Sequence, residues 1–163
     1  MRRRFKFYLE SSFWKRLVDP ANPRMRKVSY QFLRAVAGRH RIITSRLVRA
    51  ELHATPDLVE RRAVTRHMER VRMRAVPTTA LVTTVRDEIL EEGGWGANRL
   101  ADMLHVAYTV IARADALVTW DQDDLARERT RRVVQAVCRR RGLKAPRIGM
   151  PEEVAAWFGL MTR

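Results

Sequence analysis

The sequence predicts an α/β fold with a mainly parallel sheet of about five strands. Two observations indicate this class: short runs of β-branched or aromatic residues recur along the chain, and longer segments with apolar residues at helical spacing separate them. Each intervening helix can return the chain to the same edge of the sheet, so successive strands run parallel. The predicted strands are 5–9, 41–44, 71–75, 116–119 and 147–149.

Each predicted strand has its own pattern. The first is the aromatic-rich run Phe5–Leu9, and the second contains the pair Ile42–Ile43. In the third, apolar residues alternate with Arg72 and Arg74, which is typical of a strand with one wetter face. The fourth and fifth are short apolar segments. No internal repeat or linker interrupts the series, so one compact domain over residues 1–163 is expected.

Helices are predicted from apolar spacing and from start and stop residues. Apolar residues recur at helical spacing between Met25 and Val36, and Gly38 is expected to end that helix. Ser45 is a predicted N-cap for the next helix. Later helices are expected to begin at Pro56–Asp57, at Thr79, at Ala97 or Asn98 and at Pro151, with another carrying the apolar stripe from Thr130 to Cys138. The helix that contains Asp102 is apolar almost all round and is therefore expected to be central.

Composition and net charge limit the classes of protein to which the chain can belong. The chain has 163 residues and is 46% hydrophobic, which excludes disorder, and 33 Lys plus Arg against 18 Asp plus Glu give a net charge of +15. This charge favours nucleic acid or an acidic protein as partner. Because Cys138 is alone, an internal disulfide and a thiolate metal site are excluded. Met1–Arg4 has the charge of a signal-peptide start, but no apolar segment of adequate length follows, so a soluble, cytoplasmic protein is expected.

Four carboxylates stand at the ends of predicted elements. Glu10 and Asp121 directly follow strands, Glu51 lies along the helix after the second strand, and Asp102 is near the start of the central helix. In an open parallel sheet, ligands bind outside the carboxyl ends of the strands, where these acids would converge. Clustered carboxylates suit Mg²⁺ or Mn²⁺, and two such ions can promote phosphodiester hydrolysis. Taken singly, Glu51 is also explained as a solvated helix residue and Asp121 as a turn cap, whereas a charge on so apolar a helix as that of Asp102 needs a partner.

Four segments together resemble PIN-domain ribonucleases of the VapC-like toxin type. They are 7–12 (FYLESS), 42–52 (IITSRLVRAEL), 101–107 (ADMLHVA) and 115–121 (DALVTWD), in that order. The resemblance implies a three-layer α/β/α PIN-like domain and a Mg²⁺- or Mn²⁺-dependent endoribonuclease. It assigns catalysis and metal binding to Glu10, Glu51, Asp102 and Asp121. Asp123 and Asp124 could substitute for Asp121, and of these two Asp124 is the additional candidate metal ligand. It further implies a homodimer, an RNA substrate and a neutralising antitoxin protein.

One departure from the family pattern leaves alternatives open. Position 10 is Glu where the family usually has Asp, so an RNA- or protein-binding module without effective catalysis is the second hypothesis. A third is a domain that acts mainly as a dimerising partner, for which Trp14, Tyr30 and Phe32 could form an exposed apolar face; core packing explains these three residues as well.

Neighbouring residues also have two interpretations. His105 is interpreted as a hydrogen-bonded core histidine rather than a ligand or proton shuttle, and Ser11 and Ser12 as helix caps that can also bind a metal-bound water. Basic residues are expected to rim the acidic site, and the basic segment 127–144 is either a solvated helix face or a phosphate-binding surface.

Overall fold

The computed structural model describes residues 3–161 and contains one five-stranded sheet. The strands are β1 (Lys6–Leu9), β2 (Arg41–Ser45), β3 (Met73–Val76), β4 (Ala116–Val118) and β5 (Arg147–Gly149). Their order in the sheet is β3-β2-β1-β4-β5, and every pair is parallel. The predicted class is therefore confirmed, with an entirely parallel sheet in which β3 and β5 are the edges.

Eight α-helices connect or follow these strands within residues 3–161. They are α1 (Ser11–Arg16), α2 (Pro23–Val36), α3 (Arg46–His53), α4 (Leu58–Glu69), α5 (Ala80–Gly93), α6 (Leu100–Ile111), α7 (Glu128–Arg140) and α8 (Pro151–Phe158). Ser45, the predicted N-cap, accepts a hydrogen bond from a first-turn backbone N–H, and so do Asp57 and Thr79, which were predicted as helix starts. The helix of Asp102 begins at Leu100, because a 3-10 turn at Ala97–Arg99 precedes it. None of the helices between residues 3 and 161 is long and apolar enough to cross a membrane.

Alternation along β1 shows how helices cover both faces of the sheet. Phe7 lies on one face, where its ring packs against Phe32 of α2 and Phe158 of α8 at centroid distances of 5.8 and 5.3 Å. Tyr8 lies on the other face and stacks against Tyr108 of α6. Successive side chains of a strand point to opposite faces, so the sheet is the middle of three layers. β1, at the centre of the order, joins both halves of the core.

One apolar face expected from the sequence is mostly interior. Trp14 and Phe32 are fully buried, whereas Tyr30 is 50% exposed. For Trp14 and Phe32 the hypothesis of an exposed face is wrong and the alternative of core packing is confirmed, because α1 and α2 turn these rings toward the sheet. Trp14 also donates its indole N–H to the carbonyl of Leu9 at 3.2 Å, which ties α1 to the end of β1.

Candidate metal centre

The site begins where β1 and β4 end side by side. Leu9 pairs with Val118, and the backbone N–H of Glu10 donates to the Val118 carbonyl at 3.1 Å. The next residues of the two segments, Glu10 and Thr119, are consequently neighbours at the carboxyl edge of the sheet. This is the edge at which open parallel sheets bind ligands.

Glu10 belongs to a first group of donors with Glu51 and His105. One ligand atom from each of these residues lies within 4.8 Å of the others. His105 Nε2 is hydrogen-bonded to Glu51 Oε1 and lies 3.9 Å from Glu10 Oε1. β1, α3 and α6 therefore meet at this point, and two of the four predicted acids are brought together.

Hydroxyl groups hold both glutamates. Ser12 Oγ and Thr119 Oγ1 donate to Glu10 Oε2 at 2.5 and 2.9 Å, and Ser11 Oγ donates to Glu51 Oε1 at 3.1 Å. Glu10 is only 7% exposed, so these bonds replace the water it lacks. The expected capping role of the two serines is wrong: no side chain caps α1, because the serine hydroxyls turn to the carboxylates instead.

His105 is fixed from its other side by a buried chain of hydroxyls. Its Nδ1 lies 2.7 Å from the Tyr8 hydroxyl, which lies 2.7 Å from Ser45 Oγ. A carboxylate can only accept, so Nε2–H donates to Glu51 and Nδ1 can accept from Tyr8. The prediction of a hydrogen-bonded core histidine is confirmed. Its contact with the acids was not predicted; the three-residue spacing from Asp102 on one helix face was the available signal.

Asp102, Asp121 and Asp124 form a second group, again with one ligand atom each within 4.8 Å of the others. Asp121 Oδ1 accepts from the backbone N–H of Asp124 at 2.9 Å, which confirms Asp121 as a turn cap and leaves its other oxygen available. Arg99 lies 3.4 Å from Asp102 and 3.1 Å from Asp124, and its guanidinium stacks on Trp95 at 4.6 Å. The guanidinium of Arg99 thus pairs with an acid from the turn after β4 and with one from the start of α6.

The two groups are neighbours rather than one cluster. Thr119 Oγ1 donates to Glu10 and accepts from the backbone N–H of Asp121 at 3.0 Å, so a single hydroxyl bridges them. Asp102 and His105 also lie one turn apart on α6. The sequence placed all four acids in one pocket; the structure puts them at one edge of the sheet in two adjoining groups.

Electrostatics reflect this crowding. Burial, together with the charges of Asp121, Asp124 and Glu10, raises the pKa of Asp102 to about 6 against the opposing charge of Arg99. Burial also acts to raise the pKa of Glu51, but His105, Ser11 and Lys15 outweigh it, and the pKa is lowered from its ordinary value. Arg99 and Lys15 are thus basic groups beside the acids.

The residues present fit a divalent cation. Carboxylate oxygens are the donors that Mg²⁺ and Mn²⁺ prefer, and each group offers at least two. The Glu10 oxygen that faces His105 accepts no hydroxyl, so it is free to act as a ligand. Burial is the largest cause of the raised pKa of Asp102, and the charges of Asp121, Asp124 and Glu10 add a repulsion that a cation would relieve.

Comparisons with known proteins agree with this fold. No family model and no curated protein matches the sequence. The VapBC-1 structure from nontypeable Haemophilus influenzae matches with a TM-score of 0.59 at 12% identity, covering 91% of this chain and 99% of that one. VapBC2 from Rickettsia felis, bound to a promoter DNA fragment, matches at 0.55 and 18% identity, covering 74% and 90%. VapC20 from Mycobacterium tuberculosis, a toxin that cleaves the sarcin–ricin loop, matches at 0.50 and 17% identity, covering 72% and 91%. Over most of its length, the chain has the fold of VapC-type PIN-domain toxins.

Proposed function

We propose that this chain, as a single PIN-like domain, is a metal-dependent endoribonuclease that hydrolyses RNA phosphodiester bonds with Mg²⁺ or Mn²⁺. The observation that carries the proposal is the convergence of Glu10, Glu51, Asp102 and Asp121 at the carboxyl edge of a VapC-type sheet. Each comes from a different segment of the chain, and their approach is electrostatically unfavourable without a cation. At Asp102 this cost remains although Arg99 is paired with it, because its pKa is still raised to about 6.

The residues divide into ligands and groups that hold the ligands. Glu10, Glu51, Asp102 and Asp121 are the proposed ligands, with Asp124 beside them. The bound ion would supply a water of lowered pKa and would neutralise charge on the phosphate. Ser12 and Thr119 orient Glu10 by donating to one of its oxygens, and His105 and Ser11 orient Glu51. Such supporting bonds commonly change metal affinity or activity by about 10- to 100-fold when removed.

The net charge supports RNA as the substrate. An acidic cluster repels phosphate, whereas the net charge of +15 attracts a polyanion to the chain as a whole. Arg99 lies beside Asp102 and Asp124 and is only 11% exposed at its side chain. Its buried guanidinium pairs with these two acids, so the attraction of RNA depends on other arginines.

We also propose that the chain is the toxin of a type II toxin–antitoxin pair, with an antitoxin protein as partner and a homodimer as its assembled form. The Rickettsia and Haemophilus structures of the same fold are VapBC complexes. Co-expression with a small DNA-binding protein encoded beside it would test the pair: growth arrest relieved by co-expression is expected. A strict monomer in sedimentation at micromolar concentration would contradict the homodimer.

Cleavage of RNA is the direct test of the enzyme. Purified protein with Mn²⁺ or Mg²⁺ is expected to cut structured and single-stranded RNA, and EDTA should stop it. Asp102→Ala should remove activity, whereas Asp123→Ala, an exposed acid in the same turn region, should keep it. Equal RNA survival with wild type and Asp102→Ala in both metals would contradict the proposal.

A second candidate is a catalytically impaired module that binds RNA or protein. The observation in its favour is that Glu10, in place of the family's Asp, is buried and has one oxygen occupied by two hydroxyls. Salt-sensitive RNA binding without cleavage and without stabilisation by Mn²⁺ would favour this candidate. Activity that appears in Glu10→Asp but not in wild type would show a site detuned by one methylene.

A further inference from the structure

We propose that the groove that begins at the amino ends of β1 and β2 and runs along β3 binds the phosphate backbone of a single-stranded RNA. This groove has a volume of about 780 Å³; it begins at the amino ends of β1 and β2, opposite the edge that carries the acids, and continues along β3 to Val76, Pro77 and Thr79. Its lining includes five cationic side chains and no carboxylate: Arg4, Lys6, Arg41, Arg72 and Arg74. Ile42, Ile43 and Met73 supply part of its apolar lining.

Strand register places three of these cations in a row. Lys6 pairs with Arg41 across β1 and β2, and Ile42 pairs with Met73 across β2 and β3. One residue earlier, Arg41 therefore lies beside Arg72. Neighbouring strands are about 4.8 Å apart, so the row crosses roughly 10 Å of sheet. Arg74 follows Arg72 on the same face of the strand.

This row lacks compensating charge. Like charges side by side on neighbouring strands repel each other and lower the stability of the fold, unless a bound anion offsets the repulsion. No salt bridge within residues 3–161 joins Arg4, Arg41, Arg72 or Arg74 to a carboxylate. The nearby Asp115 is already bonded to Lys144 and to the backbone N–H of Lys6.

Local electrostatics agree with an unneutralised groove. His40, which also lines it, has a pKa lowered first by burial and then by the charges of Arg39 and Arg4, against the opposing charge of Asp115. The four arginines of the groove are exposed, so an anion can reach them from solvent. Lys6 has its Nζ on the Ala112 carbonyl at 2.7 Å and anchors the row to the end of α6.

The direction of the row favours a nucleic-acid strand over an acidic peptide. A peptide that extended the sheet would run along the free edge of β3, parallel to that strand. A ligand that neutralises Lys6, Arg41 and Arg72 must instead cross three strands at their starts. A polyanion with regularly spaced phosphates meets such a row without backbone pairing.

Lys6, which anchors the cationic row, and the acids are at opposite ends of α6. Asp102 is at its start and Ala112 follows its end, a rise of about 15 Å for ten helical residues. RNA as the ligand rests on the proposed ribonuclease function, but binding here does not require the metal site. The two proposals can therefore fail separately.

Binding is measured with the full chain in EDTA, so that no cleavage occurs. The probe is a fluorescein-labelled 12-nucleotide oligouridylate, followed by anisotropy across a salt series. The groove variant is the triple Arg41→Ala, Arg72→Ala and Arg74→Ala. The matched control is Arg34→Ala, Arg62→Ala and Arg66→Ala, which removes the same charge from exposed sites on α2 and α4 outside the groove. Thermal unfolding of both triples verifies that they fold.

Each phosphate contact contributes about 0.7 to the salt slope of a single strand, so the groove triple should reduce the slope by about 2. A slope reduced by about 2 corresponds to roughly a 50-fold loss of RNA affinity at 0.15 M salt. The control triple should lose less than about threefold in affinity. Equal loss in the two triples would overturn the proposal in favour of general attraction. Displacement of the RNA by poly-glutamate at equal charge concentration would overturn it in favour of an acidic polypeptide.

Discussion

Replacing Asp102 by Asn should make the metal-free protein more stable. Asn keeps the shape of the side chain and removes a charge that burial, Asp121, Asp124 and Glu10 all disfavour. Arg99, 3.4 Å away, offsets only part of that cost, because the pKa remains raised to about 6 in its presence. A proposed metal ligand is thus expected to lower the stability of the fold that carries it.

The magnitude follows from the pKa. A rise from 3.8 to about 6 is roughly two units, and each unit corresponds to about 1.4 kcal/mol between the two protonation states. The side chain of Asp102 is 28% exposed, so solvent weakens the effect, and we expect about 1–3 kcal/mol at pH 7. For a chain of this size that is a rise in Tm of roughly 3–9 °C.

The sign of the pH dependence is specific. Because the folded pKa lies above the unfolded one, the folded protein binds the extra proton between about pH 6 and pH 4. The advantage of Asp102→Asn should be complete above about pH 6, shrink as the pH falls and vanish below about pH 4.

Urea unfolding in EDTA at pH 4, 5, 6 and 7 measures this gap. Asp123→Asn, an exposed neighbour, is the control and should change stability little at any pH. Saturating Mn²⁺ should stabilise wild type but not Asp102→Asn, so the gap closes when the metal is present. A variant less stable than wild type at pH 7, or a gap that is constant from pH 4 to 7, would refute the reasoning.

Three further predictions concern side chains in or near the core. Thr119→Val should lower RNA cleavage by about 10- to 100-fold, because Glu10 loses a hydrogen-bond donor. The control is Thr44→Val: the buried Thr44 hydroxyl has no hydrogen-bond partner, so this variant should leave cleavage unchanged. Equal losses in the two variants would contradict the role of Thr119. Tyr8→Phe should reduce the free energy of unfolding by about 1–3 kcal/mol in urea titration; the same loss in Tyr30→Phe, which is exposed, would contradict it. Burial raises the pKa of the Cys138 thiol to about 11, so it should react with a disulfide reagent at pH 8 only after unfolding, and rapid native labelling would contradict this.

The sequence predicted the sheet well because its signals are local. Buried parallel strands appear as apolar runs, and the predicted run Phe5–Leu9 differs by one residue from Lys6–Leu9. The N-cap Ser45 and the helix start at Asp57 were predicted correctly, because a capping hydrogen bond spans only three residues. Strand order was beyond reach, since it depends on which helices cover which face.

Side-chain partners in the site were harder to predict, because they join segments far apart in the chain. The sequence does not show that Ser11 reaches Glu51, forty residues away, instead of capping its own helix. Nor does it show that His105 connects Tyr8 to Glu51, or that Arg99 pairs with both Asp102 and Asp124. Convergence of the acids was predictable from the rule for strand ends, and their division into two groups was not.

The longer side chain at position 10 does not leave this carboxylate free to move. Ordering a glutamate costs up to about 2 kcal/mol of rotamer entropy on burial. Hydrogen bonds to a charged group contribute about 1.5–3 kcal/mol each, and Glu10 accepts two of them, from Ser12 and Thr119. The free energy contributed by the two hydrogen bonds exceeds the cost of the lost rotamer entropy. Glu10 is therefore held in one position, with its second carboxylate oxygen 3.9 Å from His105 Nε2. The extra methylene therefore changes where the free carboxylate oxygen lies and not how well it is ordered. In Glu10→Asp the shorter side chain would withdraw from the hydroxyls of Ser12 and Thr119. This variant tests the position of the oxygen alone only if both hydroxyls move with the carboxylate.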